Sequence, residues 1–218
     1  YSGGATCPSL LLEPSRTNGF TNSEYYGAGD WDIYGGQTLT YNNAISPEGV
    51  QNATKFIDAG GMYEQIVFSA NTDYVFSLFA KTDTATSVTL NYVDQSGPFL
   101  GGTIKYTFAT NSAIVTGQSA NNSVTADKED YGNGWIRVIL KFKTNVSQSY
   151  NYQSIELQGG NGWLYGAQLE AGSYPTSYIP TYGSSQTRAG ELCNSAGDAS
   201  TFNSTEGVLY AEIAALAD

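Results

Sequence analysis

The chain has no histidine. Without imidazole it lacks the ordinary general base near neutral pH and the commonest zinc ligand. Serine–histidine and cysteine–histidine nucleophilic systems are excluded, as are histidine-held metal sites. Carboxylate chemistry survives, so a glycosidase-type acid/base pair is the one catalytic class left to weigh. Charge is also scarce: 13% of residues are charged, with 9 Lys and Arg against 20 Asp and Glu. The formal net charge of −11 disfavours nucleic acid and anionic membrane surfaces, because phosphate contacts need clustered cations and these are scattered. No apolar run approaches the roughly 18 residues that would read as a membrane span, so no membrane insertion is expected. The chain opens on Tyr1 with neither an initiator methionine nor a signal-peptide pattern, and it reads as a piece excised from a longer protein.

What is abundant points one way. The 17 tyrosines and 25 glycines stand among many Ser, Thr and Asn residues. Aromatic and β-branched residues suit a pleated, half-buried surface, and Gly, Asn, Ser and Asp supply turns. An acidic surface of tyrosine, amide and hydroxyl groups suits an uncharged polyhydroxylated ligand, since aromatic faces stack on sugar rings while amides and carboxylates bond hydroxyls; the plainer reading is a solubilising coat. Alternation is clearest in Met62–Phe68 and Tyr74–Lys81, which predict two antiparallel strands joined as a hairpin or as a crossing between sheets. Further strands are expected at Leu10–Glu13, Thr38–Tyr41, Ala53–Ile57, Val88–Val93, Thr103–Phe108 and Trp135–Lys143. Ser154–Gln158 and Trp163–Leu169 flank Gly159-Gly160-Asn161-Gly162, a hairpin signal. Nothing reads as a long amphipathic helix. About ten strands with regular turns predict an all-β protein, an antiparallel β-sandwich of jelly-roll type. Residues 1–19 form a lead-in, residues 20–172 the sandwich and residues 173–205, rich in Pro, Gly, Ser and Tyr, an extended linker. Residues 206–218 read as the first strand of a following domain or a strand packed on the sandwich.

Three stretches carry a resemblance: Cys7–Asn18 (CPSLLLEPSRTN), Tyr131–Val138 (YGNGWIRV) and Tyr165–Thr181 (YGAQLEAGSYPTSYIPT) with the Thr187-Arg188-Ala189 step. Together they resemble the carbohydrate-binding-module-like, galactose-binding-type β-sandwich of bacteriophage tail- and head-fibre proteins. Glu206–Glu212 is similar to the opening strand of a laminin-G/concanavalin-like domain. The resemblance implies an architecture and a binding role in a virion fibre or extracellular protein, leaves a trimeric parent fibre open, and names no particular sugar.

Two faces compete for that role. One is the loop Phe20–Tyr34, where Tyr25, Tyr26, Trp31 and Tyr34 would offer stacking platforms beside Asp30 and Asp32; proteins with this opening also place a tryptophan inside near this point. The other is a sheet face lined by Tyr63, Gln65, Asn91, Glu156 and Gln158, provided the strand register brings them together. Trp163, sharing a strand face with Tyr165, is a further candidate for stacking or packing, and Trp135 reads as structural. No cofactor is required. Related modules often hold a structural calcium ion, and Glu13 and Glu170, on strands expected to be neighbours, are its candidate ligands. Glu24, Asp30, Asp32, Glu64, Glu156 and Glu170 form no recognisable glycosidase pair, so no enzyme activity is expected. Cys7 and Cys193 flank the body and could close a disulfide or remain thiols. Four N-x-S/T sequons (Asn52, Asn121, Asn145, Asn203) carry no weight in a chain of this composition. The leading expectation is a non-catalytic module that binds polysaccharide or cell-surface glycan. A purely structural fibre domain is the alternative, and a fragment of a polysaccharide-degrading enzyme is the weakest reading.

Overall fold

A computed structural model of the chain describes residues 12–27, 30–94, 100–118, 123–144 and 151–192. The described residues contain strands and no helix. Fourteen strands are β1 (Arg16–Asn18), β2 (Asp32–Tyr34), β3 (Thr38–Ile45), β4 (Gln51–Ile57), β5 (Gly60–Gln65), β6 (Asp73–Thr82), β7 (Ser87–Asp94), β8 (Leu100–Thr107), β9 (Ser112–Gln118), β10 (Val124–Asp130), β11 (Ile136–Lys143), β12 (Asn151–Gln158), β13 (Gly162–Ala171) and β14 (Gln186–Arg188). Two six-stranded antiparallel sheets, β10-β11-β6-β13-β4-β3 and β2-β5-β12-β7-β8-β9, make the sandwich, and β1 pairs with β14 beside it. The all-β antiparallel sandwich read from the sequence is the architecture of the protein.

Period-two alternation drives the packing. Val88, Leu90 and Tyr92 of β7, Ile155 and Leu157 of β12 and Met62 of β5 point inward from one sheet. They meet Phe76, Leu78, Val138, Leu140, Phe142 and Leu164 from the other, all nearly inaccessible to solvent. Tyr92 stacks on Phe142 at a centroid distance of 3.8 Å, which joins the two sheets through one aromatic contact. Burying such side chains stabilises the fold by about 1.5–3 kcal/mol each.

The structure decides one alternative that the sequence left open and departs from the sequence reading elsewhere. Met62–Phe68 and Tyr74–Lys81 belong to different sheets, so the link at residues 66–72 is a crossing between layers. The same holds for β12 and β13: Gly159-Gly160-Asn161 is not a hairpin turn but a second crossing. Its positive-φ glycines (77° and 144°) press against Thr86 and Thr84, and Asn161 O accepts the amides of Asp83, Thr84 and Ala85. A Cβ at either glycine would collide with that loop, which explains why the signal resembles a hairpin while serving a close approach. β9 and β10 were missed in a polar stretch; both are edge strands of their sheets, and an edge needs less apolar alternation than a strand flanked on both sides. Of the strand expected at Leu10–Glu13, residues 12 and 13 are not in a strand and the rest lies outside the described residues.

Residues 173–192 are not a free linker. Thr176, Ile179 and Thr181 are buried, and Gln168 and Glu170 on the outer side of β13 hold them. Gln168 Oε1 accepts the Ile179 amide at 2.6 Å, and Glu170 accepts the amide of Thr176 at 3.1 Å and its hydroxyl. Asn18 Nδ2 donates to Ala167 O and Ile179 O (3.1 and 2.9 Å). The segment then pairs through β14 with β1. Polar atoms bracketing an extended chain satisfy backbone groups that burial would otherwise leave unpaired. Residues 193–218, including Cys193 and the expected following strand, lie outside the described residues, as does Cys7.

Candidate functional site

Strand register decides which side chains share the open face of the sheet β2-β5-β12-β7-β8-β9. One row across the strands is Tyr34, Gly61, Glu156, Thr89 and Lys105. The next is Asp32, Tyr63, Ser154, Asn91, Thr103 and Gly117. A third is Gln65, Tyr152, Val93 and Gly101. Ser87 and Gln158 pair at the end of β7 and β12. Tyr63, Gln65, Asn91, Glu156 and Gln158 therefore occupy one face, because period two puts every second residue on the same side once register is set.

Three tyrosines run diagonally across this face. The ring centroids of Tyr34 and Tyr63 are 6.2 Å apart, and those of Tyr63 and Tyr152 are 5.4 Å apart. Tyr34 lies over Gly61: a Cβ there would fall 2.4 Å from its Cζ and its hydroxyl oxygen. The missing side chain is what lets the ring rest on the backbone. The Tyr34 hydroxyl donates to Glu156 Oε1 at 2.8 Å, while 38% of the residue stays exposed. Its pKa is raised far above the usual phenol, first by burial and then by the hydrogen bond to Glu156. Beside the tyrosines a polar chain continues: Gln158 Nε2 donates to Glu156 Oε2 at 3.3 Å, and the Ser87 hydroxyl donates to Gln158 Oε1 at 3.3 Å. Asn91 Nδ2 donates to the Ser154 hydroxyl at 3.0 Å, which fixes a second amide on the floor of the face. Aromatic rings flanked by half-buried amides and a carboxylate can stack on an apolar ligand face and bond its hydroxyls.

Other candidates fall elsewhere. Trp31 and Tyr26 are buried at 5% and 0% exposure and cannot serve as platforms. The Trp31 ring packs 4.9 Å from Phe20 and 5.5 Å from Tyr26, and its Nε1 donates to Asn22 O at 2.8 Å. Glycines and acids around these rings suggested an open loop, but together the rings plug one end of the core. Tyr25 is exposed, 4.5 Å from Tyr41, away from the tyrosine diagonal. Trp163 sits on the other sheet, donating Nε1 to Asn43 Oδ1 at 2.9 Å beneath the Lys55 ammonium (4.9 Å). Trp135 is buried with Tyr165, Phe79 and Ala53, as a structural tryptophan would be. Tyr152 was missed because no apolar pattern precedes Ser154; its register with Gln65 is the signal that places it.

Glu13 and Glu170 do not fit a shared calcium ion. Glu13 pairs with the Arg188 guanidinium at 2.7 Å and accepts the Ser177 amide at 2.8 Å, and Glu170 is committed to Thr176. Calcium wants about six to eight oxygens, and a carboxylate already neutralised by arginine is a poor contributor. Among the described residues no group of three or more Cys, Asp or Glu is arranged to hold a metal. A separate network ties the tail to the sandwich: Glu24 accepts the hydroxyls of Tyr178 (3.1 Å) and Tyr182 (2.9 Å), and Glu48 accepts that of Tyr165 (2.6 Å). Behind the open face, Glu64 is 3% exposed and accepts the amide and hydroxyl of Thr21, both at 3.1 Å. Burial, the largest cause, and the Asp30 charge lift its pKa to about 7 against the Thr21 hydrogen bonds.

The sequence matches no family model and no curated protein. Solved structures are similar in fold at low identity. One is the enzymatically active domain of bacteriophage CBA120 tailspike protein 4, at 12% identity and a TM-score of 0.47, covering 71% of this chain and 21% of that one. A second comprises carbohydrate-binding and xylanase modules of a Clostridium thermocellum endo-1,4-beta-D-xylanase complexed with xylohexaose, at 12% identity and a TM-score of 0.46, covering 77% and 30%. A third is TmCBM61 in complex with beta-1,4-galactotriose, at 11% identity and a TM-score of 0.40, covering 70% and 97%. The chain thus spans less than a third of each of the first two proteins.

Proposed function

We propose that the chain is a non-catalytic polysaccharide-binding module whose ligand lies along the Tyr34–Tyr63–Tyr152 diagonal. The single observation that carries this reading is the placement of Tyr34 over Gly61, with its hydroxyl tied to Glu156. A ring held in this way loses little freedom on binding, and preorganisation is what makes a weak stacking contact useful. Successive sugar rings stack on the tyrosines while Glu156, Gln158, Asn91 and Gln65 exchange hydrogen bonds with their hydroxyls. Stacking of this kind needs no metal or cofactor.

The parent protein is, on this reading, a phage-type fibre or a secreted multidomain protein. It supports the module outside the cell and gains avidity from several copies, three in a trimeric fibre. The sequence resemblance supports that context. The string that carries it, Tyr165–Thr181, is engaged in holding the tail through Gln168 and Glu170, so it bears on the fold and leaves the site to Tyr34, Tyr63 and Tyr152. Affinity gel electrophoresis against a polysaccharide panel tests the function. Retardation by at least one polysaccharide, abolished by Tyr63→Ala at an unchanged melting temperature, is the expected result. No retardation on any of them would leave a purely structural fibre domain.

A further inference from the structure

We propose that the open face selects uncharged polysaccharide chains and excludes polyuronates and sulfated glycans, with Glu156 and Asp32 setting the discrimination. This inference rests on the binding face argued above and concerns what that face admits. Its basis is how the sandwich distributes charge. Of the nine Lys and Arg residues, Arg16 and Arg188 are in β1 and β14, while Lys55, Lys81, Lys128, Arg137, Lys141 and Lys143 belong to the sheet on the other side. Only Lys105 lies on the sheet that carries the tyrosines. It is two strands from Glu156 along the first row, on the side away from Tyr34.

The face consequently has no guanidinium, the group whose planar fork matches carboxylate and sulfate oxygens. It does have two carboxylates bracketing the tyrosines. Glu156 receives the Tyr34 hydroxyl, and Asp32 is in register with Tyr63 on the neighbouring strand. A carboxylate accepts hydrogen bonds and donates none when ionised, so it rewards a ligand rich in hydroxyl donors. An anionic sugar stacked on Tyr34 or Tyr63 would bring its charge close to one of these carboxylates, where like charges repel and the phenol proton of Tyr34 is already engaged. Neutral chains avoid the penalty altogether.

Affinity electrophoresis with neutral polysaccharides (xylan, mixed-linkage glucan, galactan, mannan) and acidic ones (polygalacturonate, alginate, a sulfated galactan) tests the selectivity at low ionic strength. The wild-type protein is expected to bind its best neutral ligand at least about tenfold more tightly than any acidic one, a difference that charge repulsion at short range can supply. Glu156→Gln with Asp32→Asn is expected to narrow that ratio about tenfold, because glutamine still accepts the Tyr34 hydroxyl while the charge is gone. Asp127→Asn with Glu129→Gln removes two carboxylates from β10 on the other sheet and controls for net charge, leaving the ratio where it was. Equal binding of an acidic and a neutral polysaccharide by the wild type would overturn the selectivity alone. So would a control pair that closes the gap as far as the site pair does. No binding to any polysaccharide would remove the binding reading and the selectivity with it.

Discussion

The two sheets expose outer faces of opposite character, although both come from the same alternating pattern. The face of β10-β11-β6-β13-β4-β3 carries the arginine and most of the lysines of the sandwich, and residues 173–182 run over part of it, where Gln168 and Glu170 are buried beneath them. Among the described residues the face of β2-β5-β12-β7-β8-β9 has no comparable cover over its centre: Tyr34, Tyr63, Tyr152 and Glu156 remain accessible. Gln168 and Glu170 on the first are engaged by the backbone of the tail. On the second, polar side chains bond one another in a short chain and keep acceptor capacity toward solvent. The binding role proposed above falls to the face that folding left unused.

Breaking the covered face should cost the most. Gln168→Ala removes the acceptor of the Ile179 amide and leaves buried backbone groups unpaired, a loss of about 2–4 kcal/mol by chemical denaturation. Polysaccharide affinity measured well below the melting temperature should not change. A comparable loss of affinity would mean that the two faces are not independent.

The layer between them is expected to respond to pH through Glu64. Its folded pKa of about 7 lies above its ordinary value of 4.5, so the folded protein keeps a proton that the unfolded chain gives up between those values. The contribution to stability is full below pH 4.5 and is lost as pH rises through about 7. Glu64→Gln retains an acceptor for Thr21 and should make the protein about 1–3 kcal/mol more stable than wild type above that window, with the gap closing on its acid side. A gap independent of pH would show that Glu64 is not the group responsible.

On the open face, Tyr34→Ala and Gly61→Ala should each weaken polysaccharide binding about tenfold, or ~1.4 kcal/mol, the first by deleting the ring and the second by lifting it. Stability should fall by less than about 1 kcal/mol for Tyr34→Ala, since the ring is partly exposed. Isothermal titration calorimetry beside thermal melts separates the two quantities. The smallest effect belongs to Trp163→Ala: affinity should stay within about twofold of wild type, because Trp163 stands on the opposite sheet against Lys55. A tenfold loss there would move the site to the other face.

Much of the fold was legible in the residues themselves. Alternation in Val88–Val93 and Ser154–Gln158 named the inward side chains, and the strands expected at Thr38–Tyr41 and Ala53–Ile57 lie within β3 and β4. Connections were less legible. Gly159-Gly160 looks the same whether glycine serves a hairpin or a close approach to Thr84 and Thr86. The tail 173–192 has a linker's composition because the atoms that hold it, on Asn18, Gln168 and Glu170, are far away or point outward in the local pattern.

The candidate site divides the same way. Residue types and period two determined that Tyr63, Gln65, Asn91, Glu156 and Gln158 could face one side of their strands. Only tertiary structure decided that these sides coincide, that Trp31 and Tyr26 turn inward, and that Tyr34 leaves its loop to join the sheet through β2. Which face of a strand is polar is a local property, set by the order of the side chains. Which strands stand side by side, in what register, and which face the tail then covers depend on contacts between residues far apart in the chain, such as Tyr34 with Glu156 and Asn18 with Ile179.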